Sequence, residues 1–129
     1  MSSTILRRAA VGDQLPRSLV DRRTARRLEA TALLLPGAGR TERYLAALEA
    51  AADEFAGWDG RVEVLPVDGE TEHRLAIVDR YGQVYAVHDA LDAAELPAAT
   101  DLSEWFRFLA TACPECGVLD DALLGGPTP

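Results

Sequence analysis

The sequence predicts an α/β domain: a central mixed β-sheet carrying a βαβ unit, followed by a β-hairpin and a C-terminal helix. Three observations predict it. Residues 30–35 form an unbroken apolar run closed by Pro36-Gly37-Ala38-Gly39 and followed by an amphipathic stretch. Residues 61–67 return as a second strand after Gly57 and Gly60. Two short apolar runs, 75–78 and 83–88, flank the turn Asp79-Arg80-Tyr81-Gly82.

The bulk composition agrees. A chain of 129 residues fits one domain, 1–129, long enough to bury roughly two-thirds of its unfolded surface without staples. With 48% hydrophobic and 26% charged residues, it lies outside the disordered class. All 13 basic residues are Arg, and they are unevenly placed: residues 1–43 carry a net +5 and residues 44–129 a net −13. A pI near 4.7 argues against nucleic acid, whose phosphates require a basic footprint. The cluster Arg22, Arg23, Arg26, Arg27 reads as a solvated face answering the acidic remainder. No window reaches the roughly 20 apolar residues of a membrane span, and no secretory leader follows Arg7 and Arg8, so a cytoplasmic protein is expected.

Residues 1–16 lack periodicity and read as an irregular lead-in, and 17–29 as a weak edge hairpin. The run 30–35 has the pattern of a strand covered on both faces. From Thr41 to Ala56, Tyr44, Leu45, Leu48, Ala51, Ala52 and Phe55 recur at helical spacing, which predicts one core-facing helix. Gly57 and Gly60 end it around Trp58. The strand over 61–67 carries Pro66 and belongs at a sheet margin, and the short connections make the βαβ strands parallel with a right-handed crossover. In the hairpin, Gly82 suits a left-handed turn position. Pairing Asp79 with Gln83 sets Val78 against Val84, Ala76 against Ala86 and Leu75 against Val87, with apolar residues on both faces. Asp101 followed by Glu104 resembles a capping box, from which Leu102, Trp105, Phe106 and Leu109 define a second amphipathic helix. The tail over 119–129 is expected to be flexible.

The order strand, helix, strand, hairpin, helix is that of the thioredoxin fold. Val11-Gly12-Asp13-Gln14-Leu15-Pro16 resembles the lead-in of redoxin and peroxiredoxin-like (AhpC/TSA) domains. Leu33-Leu34-Leu35-Pro36-Gly37-Ala38-Gly39 resembles their first central strand and active loop, and residues 76–84 their late hairpin. The resemblance spans roughly residues 11–118 and implies a thioredoxin-like fold. It also implies a nucleophilic cysteine at the helix N-terminus after the first central strand, where unpaired N–H groups and the helix dipole stabilise a thiolate. This sequence has Gly39-Arg40-Thr41-Glu42 there instead. Thioredoxins also place a cis-proline before the first hairpin strand, where this chain has Glu72-His73-Arg74. The helix that usually links the central strand to the hairpin does not fit in residues 69–74. The second sheet face therefore needs the N-terminal segment, the tail or a second subunit as cover, and a homodimer is expected.

Candidate chemistry is sparse. Cys113 and Cys116 have the C-x-x-C spacing that closes a redox disulfide, although the pair follows a helix, whose carbonyl end disfavours a thiolate. The same two sulfurs supply half of a tetrahedral zinc site, or they are inert thiols closing the helix. His73 and His88, the only histidines, fall on opposite sheet faces in the register above and read as surface or strand-end residues. Gly37-Ala38-Gly39 with Arg40 stands at a helix start, where a phosphate cradle would be, but the third glycine of a dinucleotide fingerprint is absent, Glu42 in its place would repel phosphate and no Walker lysine exists, so a plain strand-to-helix turn is expected. No cofactor is implied. The expected function is a redoxin-like domain without the family's active cysteine, serving binding or regulation, with a protein among its candidate partners. The competing readings are a thiol-disulfide oxidoreductase or redox sensor using Cys113 and Cys116, and a metal-binding module using the same pair.

Overall fold

The computed structural model describes residues 2–16 and 30–111. In chain order the elements are α1 (Ser2–Arg8), β1 (Ala30–Leu35), α2 (Glu42–Ala50), α3 (Ala52–Gly57), β2 (Gly60–Val64), β3 (His73–Val78), β4 (Val84–Ala90), a 3-10 turn (Ala93–Glu95) and α4 (Ala99–Thr111). The strands form one mixed sheet in the order β2-β1-β3-β4. β1 runs parallel to β2 and antiparallel to β3, and β3 pairs antiparallel with β4. The chain is thus an α/β protein with the expected βαβ unit and hairpin.

Every residue of β1 is buried, because the strand is central and covered on both faces. Ala32 and Leu34 face the helices, where Leu48, Phe55, Leu102 and Phe106 close the larger core. Phe55 and Phe106 meet edge to face, 5.1 Å between ring centroids, and the Phe106 ring fills the space above Gly60. On the other face Leu33 and Leu35 pack with Leu65, Ala76 and Val78 beneath Leu6, Ala9 and Leu15.

That second core corrects the reading of residues 1–16 as irregular. Ser2–Arg8 is a helix, too short to show a period in sequence, and it is held by tertiary contacts. Arg74 donates to the carbonyls of Leu6 (3.0 Å) and Ala9 (2.9 Å) at the helix's end while pairing with both oxygens of Asp89. Arg7 pairs with both oxygens of Asp68, 2.9 Å each, and donates to Glu72 O. The face that called for a second subunit is therefore covered from within the chain, which removes the reason given for a dimer.

The structure departs from the sequence reading at four further places. The helix expected over 41–56 breaks at Ala51, whose N–H donates to Leu48 O, three residues back instead of the four of an α-helix; Leu48 and Phe55 stay on the core side of each half. The left-handed residue after α3 is Asp59 (φ 57°) and not a glycine. Asp101 sits in the first turn of α4, which starts at Ala99, and its carboxylate reaches back to Ala98 N–H. The hairpin carries a bulge between Ile77 and Val78. Val78 faces Val84 as expected, but Ala76 faces Val87, Leu75 faces His88, and Arg74 faces Asp89. Gly82 does take the left-handed position, φ 92°, and Asp79 accepts from the N–H groups of Tyr81 and Gln83, 2.9 Å each. The edge hairpin expected over 17–29, the tail over 119–129, and both Cys113 and Cys116 lie outside the described residues.

Candidate functional site

Where β1 leaves the sheet, Pro36-Gly37-Ala38-Gly39 turns the chain into α2, and the residues before β3 pass close beneath. Ala38 N–H donates to Thr71 O at 3.1 Å. A side chain at Gly37 would begin within 2.5 Å of the Thr71 and Glu72 backbone, so only glycine lets the two segments approach this closely.

His73, the first residue of β3, is fully buried under this loop. Its Nδ1 accepts the Gly37 N–H at 2.8 Å. With Nδ1 as acceptor, the neutral ring carries its proton on Nε2, and that atom is buried with no hydrogen-bond partner. The point where a side chain would start at Gly39 lies 3.1 Å from Nε2 and 3.2 Å from Leu91 O. An unopposed buried donor costs about 1–3 kcal/mol.

Because of the hairpin bulge, His88 shares this face: it opposes Leu75, and Ala90 two residues on opposes His73. The two imidazoles are diagonal neighbours instead of lying on opposite faces. His88 is half-buried and its Nε2 is likewise without a hydrogen-bond partner. Burial pushes its pKa down, against the opposing pull of Asp89 and Asp101.

Beside the loop, a cleft of about 660 Å³ runs between α2 and residues 92–99. Its floor is apolar and includes Ala47, Ala93 and Leu96, and Arg40, Glu42 and Arg43 stand at the α2 end. Tyr44 ties the two walls together by donating its hydroxyl to Pro97 O at 2.7 Å; burial pushes its pKa up to about 12, with Asp101 adding to the shift. Thr41 occupies the N-cap of α2, yet its side chain makes no capping bond. The first hydrogen bond of the helix runs from Leu45 N–H to Thr41 O, so the N–H groups of Glu42, Arg43 and Tyr44 are the orphan donors of this terminus. Arg40 and Arg43 are exposed and form no ion pair among the described residues.

The sequence reading located this loop but missed its partner. His73 does stand at a strand end, but it is buried and not on the surface. Its burial follows from the loop folding over the start of β3, a long-range event that no local pattern encodes. The Cys113 and Cys116 assignments, redox and metal alike, fall outside the described residues. α4 ends beside Ala30 and Trp58, the end of β1 opposite the loop. Among the described residues no three His, Cys, Asp or Glu side chains gather into a group that would hold a metal, and no helix is long and apolar enough to cross a membrane. Comparison of the chain with protein families, with characterised proteins and with solved structures finds no match in any of the three.

Proposed function

We propose that the chain is a thioredoxin-fold, redoxin-like domain that works by binding and not by thiol chemistry at the β1–α2 loop. The strand order β2-β1-β3-β4, with its parallel first pair and antiparallel hairpin, supports the fold assignment. One observation carries the functional reading. At the position where redoxins hold a nucleophile, this loop has no Cys, and the two N–H groups of Gly37 and Ala38 are spent on His73 Nδ1 and Thr71 O. The loop therefore offers no thiol at the place where the helix terminus would activate one. The adjoining cleft, apolar along its floor and cationic at its α2 end, has the make-up of a small-molecule site.

The test is turnover. Disulfide reduction and peroxide consumption are measured for the wild-type chain and for the Cys113→Ser/Cys116→Ser variant. The binding reading predicts identical background rates. A wild-type rate that disappears in the double variant overturns it in favour of the thiol-disulfide oxidoreductase.

A further inference from the structure

Away from the cleft and independently of the binding reading, we infer that β2 is an interface between two copies of this chain, which pair their β2 strands antiparallel about a two-fold axis at Val62. β2 lies at one edge of the sheet. Its parallel pairing with β1 uses one side of the strand: Leu65 N–H donates to Leu34 O, and Asp59 O accepts from Ala30 N–H. Alternation along the strand therefore turns the N–H and C=O groups of Val62 and Val64 to the other side. Among the described residues no strand meets them there. The far edge of the sheet differs, because the lead-in covers its start: Gly12 N–H donates to Val84 O at 2.8 Å, and Val84 N–H to Asp13 O at 2.9 Å. An uncovered edge is a template for a further strand.

The residues of β2 select a second β2 as that strand. Leu65 packs on the α1 side of the sheet and Val62 against the larger core on the opposite side, so period two puts Arg61 and Glu63 on the α1 side and Val64 with Val62. With Val62 opposite the partner's Val62, Arg61 of each copy faces the partner's Glu63. Within one chain the two already join, Arg61 Nη1 to Glu63 Oε1 at 2.7 Å, and the two-fold closes both pairs into a ring of four alternating charges. The two neighbouring registers that keep the faces matched set Arg61 against the partner's Arg61 or Glu63 against the partner's Glu63, and like charges directly opposite destabilise a pair. On the other side, the same register sets Val64, 46% exposed, opposite the partner's Gly60. That glycine lines an apolar groove of about 510 Å³ with Leu48, Phe55 and Ala56, so each Val64 covers the end of the other copy's groove. Five residues a side fall short of the roughly 800 Å² per partner of a standard interface, and each copy carries a net charge of −8. The dimer is therefore weak and reversible.

The experiment is sedimentation of the full chain, with thiols kept reduced, from about 10 μM to about 1 mM at physiological ionic strength, together with amide hydrogen exchange over the same range. The expected result is a reversible monomer–dimer equilibrium with its midpoint near about 100 μM, and slower exchange at Val62 and Val64 as concentration rises. Val64→Pro removes an outward donor and keeps the bonds to β1, since an edge strand tolerates Pro there; it is expected to weaken the dimer about tenfold or more. Arg61→Glu is expected to abolish the dimer, and Arg61→Glu/Glu63→Arg, which restores the alternation, to recover it. The inference is overturned if the wild type stays monomeric at about 1 mM, if Val62 and Val64 exchange at the same rate in the dimer as in the monomer, or if Val64→Pro dimerises as the wild type does. The exchange measurement needs no variant and decides the matter even where a substitution unfolds the chain. Its failure leaves the binding reading standing, since turnover alone decides that.

Discussion

The backbone N–H of Gly37 donates to Nδ1 of His73 across 2.8 Å, inside the protein, and joins the turn after β1 to the first residue of β3. Replacing the imidazole leaves a buried N–H without an acceptor and opens a cavity. His73→Ala is expected to cost about 2–4 kcal/mol, measured as a fall in the denaturant midpoint at unchanged slope.

The glycines give a paired test of the same region. Gly37→Ala drives a Cβ to within 2.5 Å of the Thr71 and Glu72 backbone, which cannot yield as a side-chain end would. A loss of about 2 kcal/mol or more is expected from this overpacking. Gly57, at the end of α3, has nothing within 4 Å of its Cβ position, so Gly57→Ala is expected to be neutral or to stabilise by up to about 1 kcal/mol. Thermal or chemical unfolding of the two variants side by side checks both.

α1 hangs on Arg74, which donates to Leu6 O and Ala9 O from the sheet below. Arg74→Met keeps the apolar stem and removes the donors. The expected loss is about 1–3 kcal/mol, and little of it comes from the ion pair with the exposed Asp89 carboxylate, because such pairs contribute weakly. Hydrogen exchange distinguishes the mechanism: amides of Leu6 and Arg7 exchange faster while those of β1 remain protected.

His88 supplies a pH signature. Burial holds its pKa below the ordinary 6.5, so the unfolded chain takes up a proton before the folded one does. The stability from the neutral ring is complete above pH 6.5 and is lost as pH falls from there through the lower folded value. Asp79 acts in the opposite sense, since burial raises its pKa above 3.8 despite the N–H bonds it accepts, and stability is recovered as pH falls through its folded value. Unfolding free energies from pH 8 to 5 are expected to decline for the wild type and to decline less for His88→Gln.

The sequence disclosed most of the sheet and little of the site, for one physical reason. Ala30 to Leu35 and the set Leu102, Trp105, Phe106 and Leu109 are local patterns, and each took the structure its period specifies, while the spacing of Leu48 and Phe55 gave helix that breaks at Ala51. What failed depends on contacts distant in sequence. The bulge at Ile77 and Val78 moves the register by one residue and brings His88 onto the face of His73. α1 is seven residues long and owes its position to Leu6 packing and to Arg74. His73 looked like any strand-end histidine until the loop at Gly37 closed over it.

The most direct check on the binding reading is the redox state of Cys113 and Cys116, measured by alkylation and intact mass across glutathione buffers of defined potential. A binding domain predicts thiols that stay reduced throughout. A disulfide with a midpoint between about −180 and −270 mV, the range of working oxidoreductases, would contradict it and move the chemistry to that pair.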